Sequence, residues 1–175
     1  MAEVLAIAAL SAGAALLLVG GLVHLRDGRA LLASLLHHDV LPYRVARIAA
    51  RTTPPLQVLV ALAAIAAVAT GEPRFTPAVG LAATATFLAM ACYLAAAVLR
   101  NPDATCNCWG KAQPLTWISV IRALVLAGGA ALYLGESVRA LDTQELLLGA
   151  ILGAAFATAL AVLPTATHVH RQAQP

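Results

Sequence analysis

The sequence predicts an all-α protein: an integral membrane helical bundle of five transmembrane helices, with no soluble domain attached. Three observations carry that prediction. Hydrophobic residues make up 61% of the chain and charged residues only 11%, against about 25% charged in an ordinary soluble domain. The mean hydropathy is +0.85. Five apolar runs stand between polar stretches: Val4–Val23, Pro55–Thr70, Pro77–Leu99, Leu115–Leu134 and Leu146–Leu163.

A helix needs roughly 17–25 mostly apolar residues to cross a bilayer, and the first, third, fourth and fifth runs meet this. The first opens MAEVLAIAAL, with Glu3 and no Lys or Arg ahead of the apolar core. A signal peptide wants a positive head and a short core, so a retained helix is expected. The segment HLRDGRALLASLLHHDVLPYRVARIAARTTPP follows. It is expected to include amphipathic helix along the membrane surface, and it is long enough to cover the end of the bundle. The second run is near the lower length limit, and Pro54-Pro55 marks its expected start. The last run predicts a fifth helix over about 143–165, packed outside the other four. None of the runs shows period-two alternation, and all are rich in Ala and Leu, which argues against strands. Abundant Ala and Gly suit close helix contacts in lipid. Residues 1–175 read as one membrane domain whose direct surroundings are lipid. There is no nucleic-acid motif, and the net charge of +3 comes from Arg scattered in loops. No cofactor is expected.

Basic residues predict the orientation. With five crossings, one face holds Arg26, Arg29, Arg44, Arg47, Arg51, Arg100, Lys111 and Arg171, and the other holds Arg74 and Arg139. Cytoplasmic loops carry the excess of Lys and Arg. The first and third loops are therefore expected on the cytoplasmic side of the inner (plasma) membrane.

Ionisable and amide groups within spans are costly and default to functional candidates. Arg122 sits roughly 10 Å into the fourth run. Gln57 sits near the start of the second, and His24 closes the first. Topology brings all three to the end that carries the third loop. Each has a plain reading too: Arg122 as a snorkelling anchor, Gln57 as a bond to a neighbouring helix, His24 as an interfacial residue. Trp109 and Trp117 suit an aromatic belt, and Cys92, mid-helix, suits a packed small hydrophobe. His37, His38, His168 and His170 read as surface residues.

The third loop, ATCNCWGKAQPLTW, holds two of the three cysteines, Cys106 and Cys108, with one residue between them. Two chemistries fit. One is a reversible disulfide, with Lys111 and Arg122 favouring the thiolate. The other is soft-metal capture by the two sulfurs, with His24 as a candidate third ligand. A scaffold whose cysteines only lock the loop is a third reading.

This ordered set of motifs resembles the MauE family, the methylamine-utilisation membrane proteins related to the DoxX-like four-helix group. The likeness spans roughly Ala14 to Leu134. The family's first helix ends in a "K-L-R-D-P"-like turn, which here reads His24-Leu25-Arg26-Asp27-Gly28. A loop "L-P" is matched by Leu41-Pro42, and "P-x-x-E" at the second helix by Pro54-Pro55-Leu56-Gln57. "C-x-C-F-G" is matched by Cys106-Asn107-Cys108-Trp109-Gly110, and "P-L-S-W…R-N" by Pro114-Leu115-Thr116-Trp117 and Arg122-Ala123. The resemblance implies a four-helix core over about 4–135, to which the fifth helix is an addition. Family members are implicated in making methylamine dehydrogenase, whose small subunit is rich in disulfides. It therefore implies a membrane thiol–disulfide redox accessory acting on a thioredoxin-like or disulfide-rich partner protein. Cys106 and Cys108 would be the exchanging pair, Trp109 and Gly110 would shape the loop, and Arg122, His24 and Gln57 would support it. The family's Lys and Glu are His24 and Gln57 here, which removes any charge pair between them.

Overall fold

The computed structural model describes residues 2–70, 76–101, 104–106 and 113–135, and further along 144, 148–149, 151–155 and 158. Among the described residues up to 135, five helices run in order: α1 (Ala2–Arg26), α2 (Gly28–His37), α3 (Tyr43–Thr70), α4 (Thr76–Arg100) and α5 (Trp117–Gly135). Between α4 and α5, β1 (Thr105–Cys106) and β2 (Gln113–Pro114) pair antiparallel. Each strand is two residues long, so the fold is in effect all-helical, as expected.

Among the described residues four helices are long and apolar enough to cross a bilayer: Ala6–Arg26, Tyr43–Thr70, Pro77–Arg100 and Trp117–Leu134. A fifth crossing is not supported. Residues 148–149 and 151–155 are helical, and Gly149 and Gly153 lie against α1 beside Ile7 and Ala8. Apart from Thr158, the rest of the Leu146–Leu163 run lies outside the described residues.

The second span also differs from expectation. Pro54 and Pro55 lie inside α3 rather than at its start. They withhold two ladder donors, leaving the Ala50 and Arg51 carbonyls without their usual partners four residues on. The helix nevertheless begins at Tyr43 and runs for 28 residues. At 1.5 Å per residue it is about 42 Å long, well beyond the ~30 Å hydrocarbon core. The surplus is the stretch before the proline pair. There Ala46, Ala50 and Pro54 form a buried stripe, while Arg44, Arg47 and Arg51 are exposed.

The amphipathic segment is present as α2. Asp27 caps its start, accepting a hydrogen bond from the Ala30 N–H at 3.0 Å. Leu35 then packs against Ala46 and Ala50 of α3, so α2 closes the end of the bundle. Its chain leaves through Asp39, at φ 51°, a left-handed conformation that Asp tolerates better than most residues.

The core is built from small side chains around a few large ones. Ala61, Ala64, Ala83 and Ala130 surround Phe87, Tyr133 and Leu10, all 3% exposed or less. Large apolar residues face outward instead, among them Leu59, Leu81, Ile121 and Leu132. That inside-out distribution suits lipid as the solvent. Cys92 belongs to the outward face as well. It misses the buried stripe Phe87, Ala91, Leu94, Ala97 of α4, so it is not the packed core residue expected.

Close helix contacts rest on glycine at several places, Gly129 and Gly21 among them. A Cβ on Gly129 of α5 would sit 2.5 Å from Ala9 Cβ of α1. One on Gly21 would sit 2.8 Å from Val58 Cγ2 and 3.0 Å from the Pro54 carbonyl. Gly128 is the natural control, since a Cβ there meets nothing within 4 Å. Gly129→Ala should therefore destabilise the bundle by about 1–3 kcal/mol through overpacking. Gly128→Ala should be neutral or stabilising by about 0.5–1 kcal/mol. Thermal unfolding of the two variants in detergent micelles checks this, and equal midpoints would refute the tight α1–α5 contact.

Candidate functional site

At the capped end of the bundle every helix contributes to one cavity of about 370 Å³. Its walls are mostly apolar, but the polar residues of the spans converge on it. His24 comes from α1, Gln57 from α3, and Ser119 and Arg122 from the first two turns of α5. From the cap come Ser34 of α2 and His38 just beyond it, and Tyr93 enters from α4. The structure thus brings His24, Gln57 and Arg122 together. Arg122 is half-buried.

Gln57 is the one polar member of the buried stripe of α3 and is 6% exposed. Its Nε2 donates to Met90 Sδ of α4 at 3.7 Å, a weak bond that fits the neighbouring-helix reading. Its Oε1 is buried with no hydrogen-bond partner. A buried acceptor left unmade costs about 1–3 kcal/mol, so this atom points to a ligand donor or a water.

A buried, doubly bonded side chain of the site is one that its sequence position suggests lies on the surface. His38 is 2% exposed. Its Nδ1 lies 2.7 Å from Tyr93 Oη, and its Nε2 lies 3.0 Å from the Thr105 carbonyl oxygen. A carbonyl only accepts, so Nε2 carries the proton and donates to Thr105. In the neutral ring Nδ1 then accepts from the Tyr93 hydroxyl. Ser34 Oγ donates to the same carbonyl at 3.3 Å. His37, by contrast, is exposed as expected. The spacing Leu31, Leu35, His38 (i, i+4, i+7) places His38 on the apolar face of α2, and that was the available signal.

The hairpin explains why the Thr105 carbonyl needs such partners. The Leu115 N–H donates to the Ala104 carbonyl at 2.7 Å, and Thr105 stands opposite Pro114. Bonded and non-bonded pairs alternate in an antiparallel ladder, so Thr105↔Pro114 is a non-bonded pair. Its carbonyl turns to the outer edge, and Pro114, with no N–H, is tolerated opposite it. His38 and Ser34 satisfy that edge. Two further bonds tie the same corner: Arg100 Nη1 donates to the Asp39 carbonyl at 2.8 Å, and Asn101 Nδ2 to the His37 carbonyl at 3.2 Å.

Cys106 follows Thr105 in β1, and its backbone pairs with Gln113. The Cys106 side chain, and all of Cys108, Trp109, Gly110 and Lys111, lie outside the described residues, as do His168 and His170. Trp117 is exposed at the first turn of α5. Among the described residues no three His, Cys, Asp or Glu side chains converge in a metal-binding cluster.

Residues 1–135 match the family described as methylamine utilisation protein MauE. The chain belongs to that family. The match ends at Gly135, where α5 ends, so the MauE unit here is four spans, the α2 cap and the hairpin. No curated protein and no solved structure matches the chain. His24 and Gln57, two of the positions where the chain departs from the motifs quoted above, line the same cavity.

The His38 bridge yields a prediction. Tyr93→Phe leaves the buried Nδ1 of His38 unpaired, and His38→Ala leaves the Thr105 carbonyl to Ser34 alone. Each should cost about 1–3 kcal/mol and loosen the hairpin before the spans. Hydrogen–deuterium exchange should then rise at residues 104–106 and 113–115 while protection within α3 is unchanged. Unaltered hairpin exchange in both variants would remove the bridge as its anchor.

Proposed function

We propose that this MauE-family protein is a membrane thiol–disulfide redox accessory in which Cys106 and Cys108 are the exchanging pair. The observation that carries the reading is the position of Cys106 in the chain, next to an anchored carbonyl. Cys106 follows the residue whose carbonyl His38 and Ser34 hold, while a Cys-x-Cys in so cysteine-poor a chain has an exchangeable disulfide as its simplest chemistry. Exchange proceeds with a thioredoxin-like or disulfide-rich partner. A partner thiolate attacks the Cys106–Cys108 bond and forms a mixed disulfide, and a second partner thiolate resolves it. The partner leaves oxidised and the pair is left as two thiols. Family membership supports this reading, and methylamine metabolism supplies its setting. The basic bias of the first and third loops supports a cytoplasmic position for the pair in the plasma membrane.

Cys106→Ser and Cys108→Ser should each abolish disulfide exchange, and Cys92→Ala, on the outward face of α4, should leave it intact. Mass spectrometry of alkylated protein across a glutathione series reads all three variants. Retained exchange with both loop cysteines replaced would overturn the proposal in favour of a scaffold. Labelling intact cells with a membrane-impermeant maleimide should spare Cys106 and Cys108 until the membrane is permeabilised. Labelling without permeabilisation would reverse the orientation.

A further inference from the structure

The capped cavity does not end blindly. On its α3–α4 side Leu56 is 52% exposed, and Ala89, on the facing wall, is exposed too. The α3–α4 seam is therefore a side on which the lining of the cavity reaches the outer surface. Along the same seam lies a second, wholly apolar furrow of about 310 Å³ between Leu59, Val60 and Ala63 of α3 and Ala78, Val79 and Ala82 of α4. Leu56, Leu59, Val60 and Ala63 follow one helix face, as do Ala89, Thr86, Ala82 and Ala78 on the other side. A head cavity with polar groups thus stands next to an apolar track between the same two helices.

We propose that the cavity and furrow bind an isoprenoid quinone, which takes up the two electrons released when Cys106 and Cys108 re-form their disulfide. This rests on the thiol reading above, which leaves the pair reduced after each turn and in need of an acceptor. The cavity volume lies within the range of small-molecule sites. The ring would lie beside Phe87 and Tyr93, which line the cavity, and the prenyl tail along the furrow. Gln57 recognises both redox forms. Its Nε2 has a second N–H to donate to a quinone carbonyl, and its unpartnered Oε1 accepts from a quinol hydroxyl. Arg122 puts a positive charge on the same cavity, which favours arrival of the electron pair. The step balances: two S–H bonds break, one S–S bond forms, and two electrons and two protons turn the two quinone carbonyls into hydroxyls. A phospholipid acyl chain would fill the furrow but offers nothing to the Gln57 amide.

The test uses full-length protein in lipid nanodiscs, decyl-ubiquinone as ligand and an azido-benzoquinone with the same tail as photolabel. Label should map to the cavity-lining peptides of α3 and α4, and decyl-ubiquinone should compete it away. Binding should be unchanged in the double variant Cys106→Ser/Cys108→Ser. Gln57→Leu should weaken it about fivefold to tenfold, the effect of one net hydrogen bond. Leu56→Trp, a lipid-facing change at the mouth, should block it without touching the polar groups. Reduced wild-type protein should yield one quinol per disulfide formed, read from the quinone–quinol difference spectrum. Labelling spread over the outer surface without competition, in protein that still exchanges disulfides, would overturn the site alone. Competable binding with no quinol formed would overturn the electron-transfer step and, with it, the proposed redox cycle.

Discussion

A chain in a bilayer must satisfy its backbone N–H and C=O groups internally, because the hydrocarbon offers no partners. Four spans meet that demand by being helical. The described part of the connection between α4 and α5 is not helical, and Pro114 and Leu115 in it lie where the cavity ends. The Thr105 carbonyl is the point of conflict, since the hairpin turns it away from its own partner strand. His38 and Ser34 take it up, and both belong to the α2 region. One hydrogen-bonded corner therefore fixes the cap, the hairpin and the approach of Cys106 together. Arg100 and Asn101 reinforce it from the end of α4 by taking carbonyls at the end of α2.

The same corner shapes the cavity. Away from it, Ala and Gly let helices meet closely, as at Gly129 against Ala9. The most extensive contacts are α1 with α3 and α4 with α5, and the α3–α4 contact is much smaller. The bundle is thus two tight pairs with a weaker seam between them. At the capped end α2 and the hairpin bridge the pairs, and space remains beneath them. Gln57 faces that space because it occupies a position of the buried stripe that Ala fills elsewhere along α3. Its amide is too polar for an apolar core, and only something in the cavity can satisfy its oxygen.

What could be read from residues alone followed local periodicity and length. The four spans, the surface helix after the first, and the convergence of His24, Gln57 and Arg122 on one end all come from where apolar runs start and stop. Features that depend on contacts between distant segments were not legible in that way. His38 reads as a surface residue although its spacing from Leu31 and Leu35 puts it on an apolar face, because the partners that bury it, Tyr93 and Thr105, lie 55 and 67 residues away. Pro54-Pro55 looked like a helix start because proline favours the first turn, yet α3 continues across the pair on the packing of Ala46 and Ala50 against Leu35. Cys92 looked buried because a mid-span residue has two faces to choose from, and only the partner helices decide between them.

Orientation and chemistry place different demands on this end of the molecule. The basic residues would favour the cytoplasm for this end, and a count made with the four spans of the described residues alters that bias without reversing it. If the chain end moves to the opposite face, Arg171 joins Arg74 and Arg139, and seven basic residues still oppose three. Arg44, Arg47 and Arg51 belong properly to that count, because they lie on the part of α3 that exceeds the hydrocarbon thickness. A water-soluble electron acceptor would bind the chemistry to whichever compartment holds it. A lipid-soluble acceptor entering through the α3–α4 seam would not, since the bilayer is common to both sides. In the proposed cycle sidedness would then select only the thiol partner, while the cavity and the α3–α4 seam would set the route by which electrons leave.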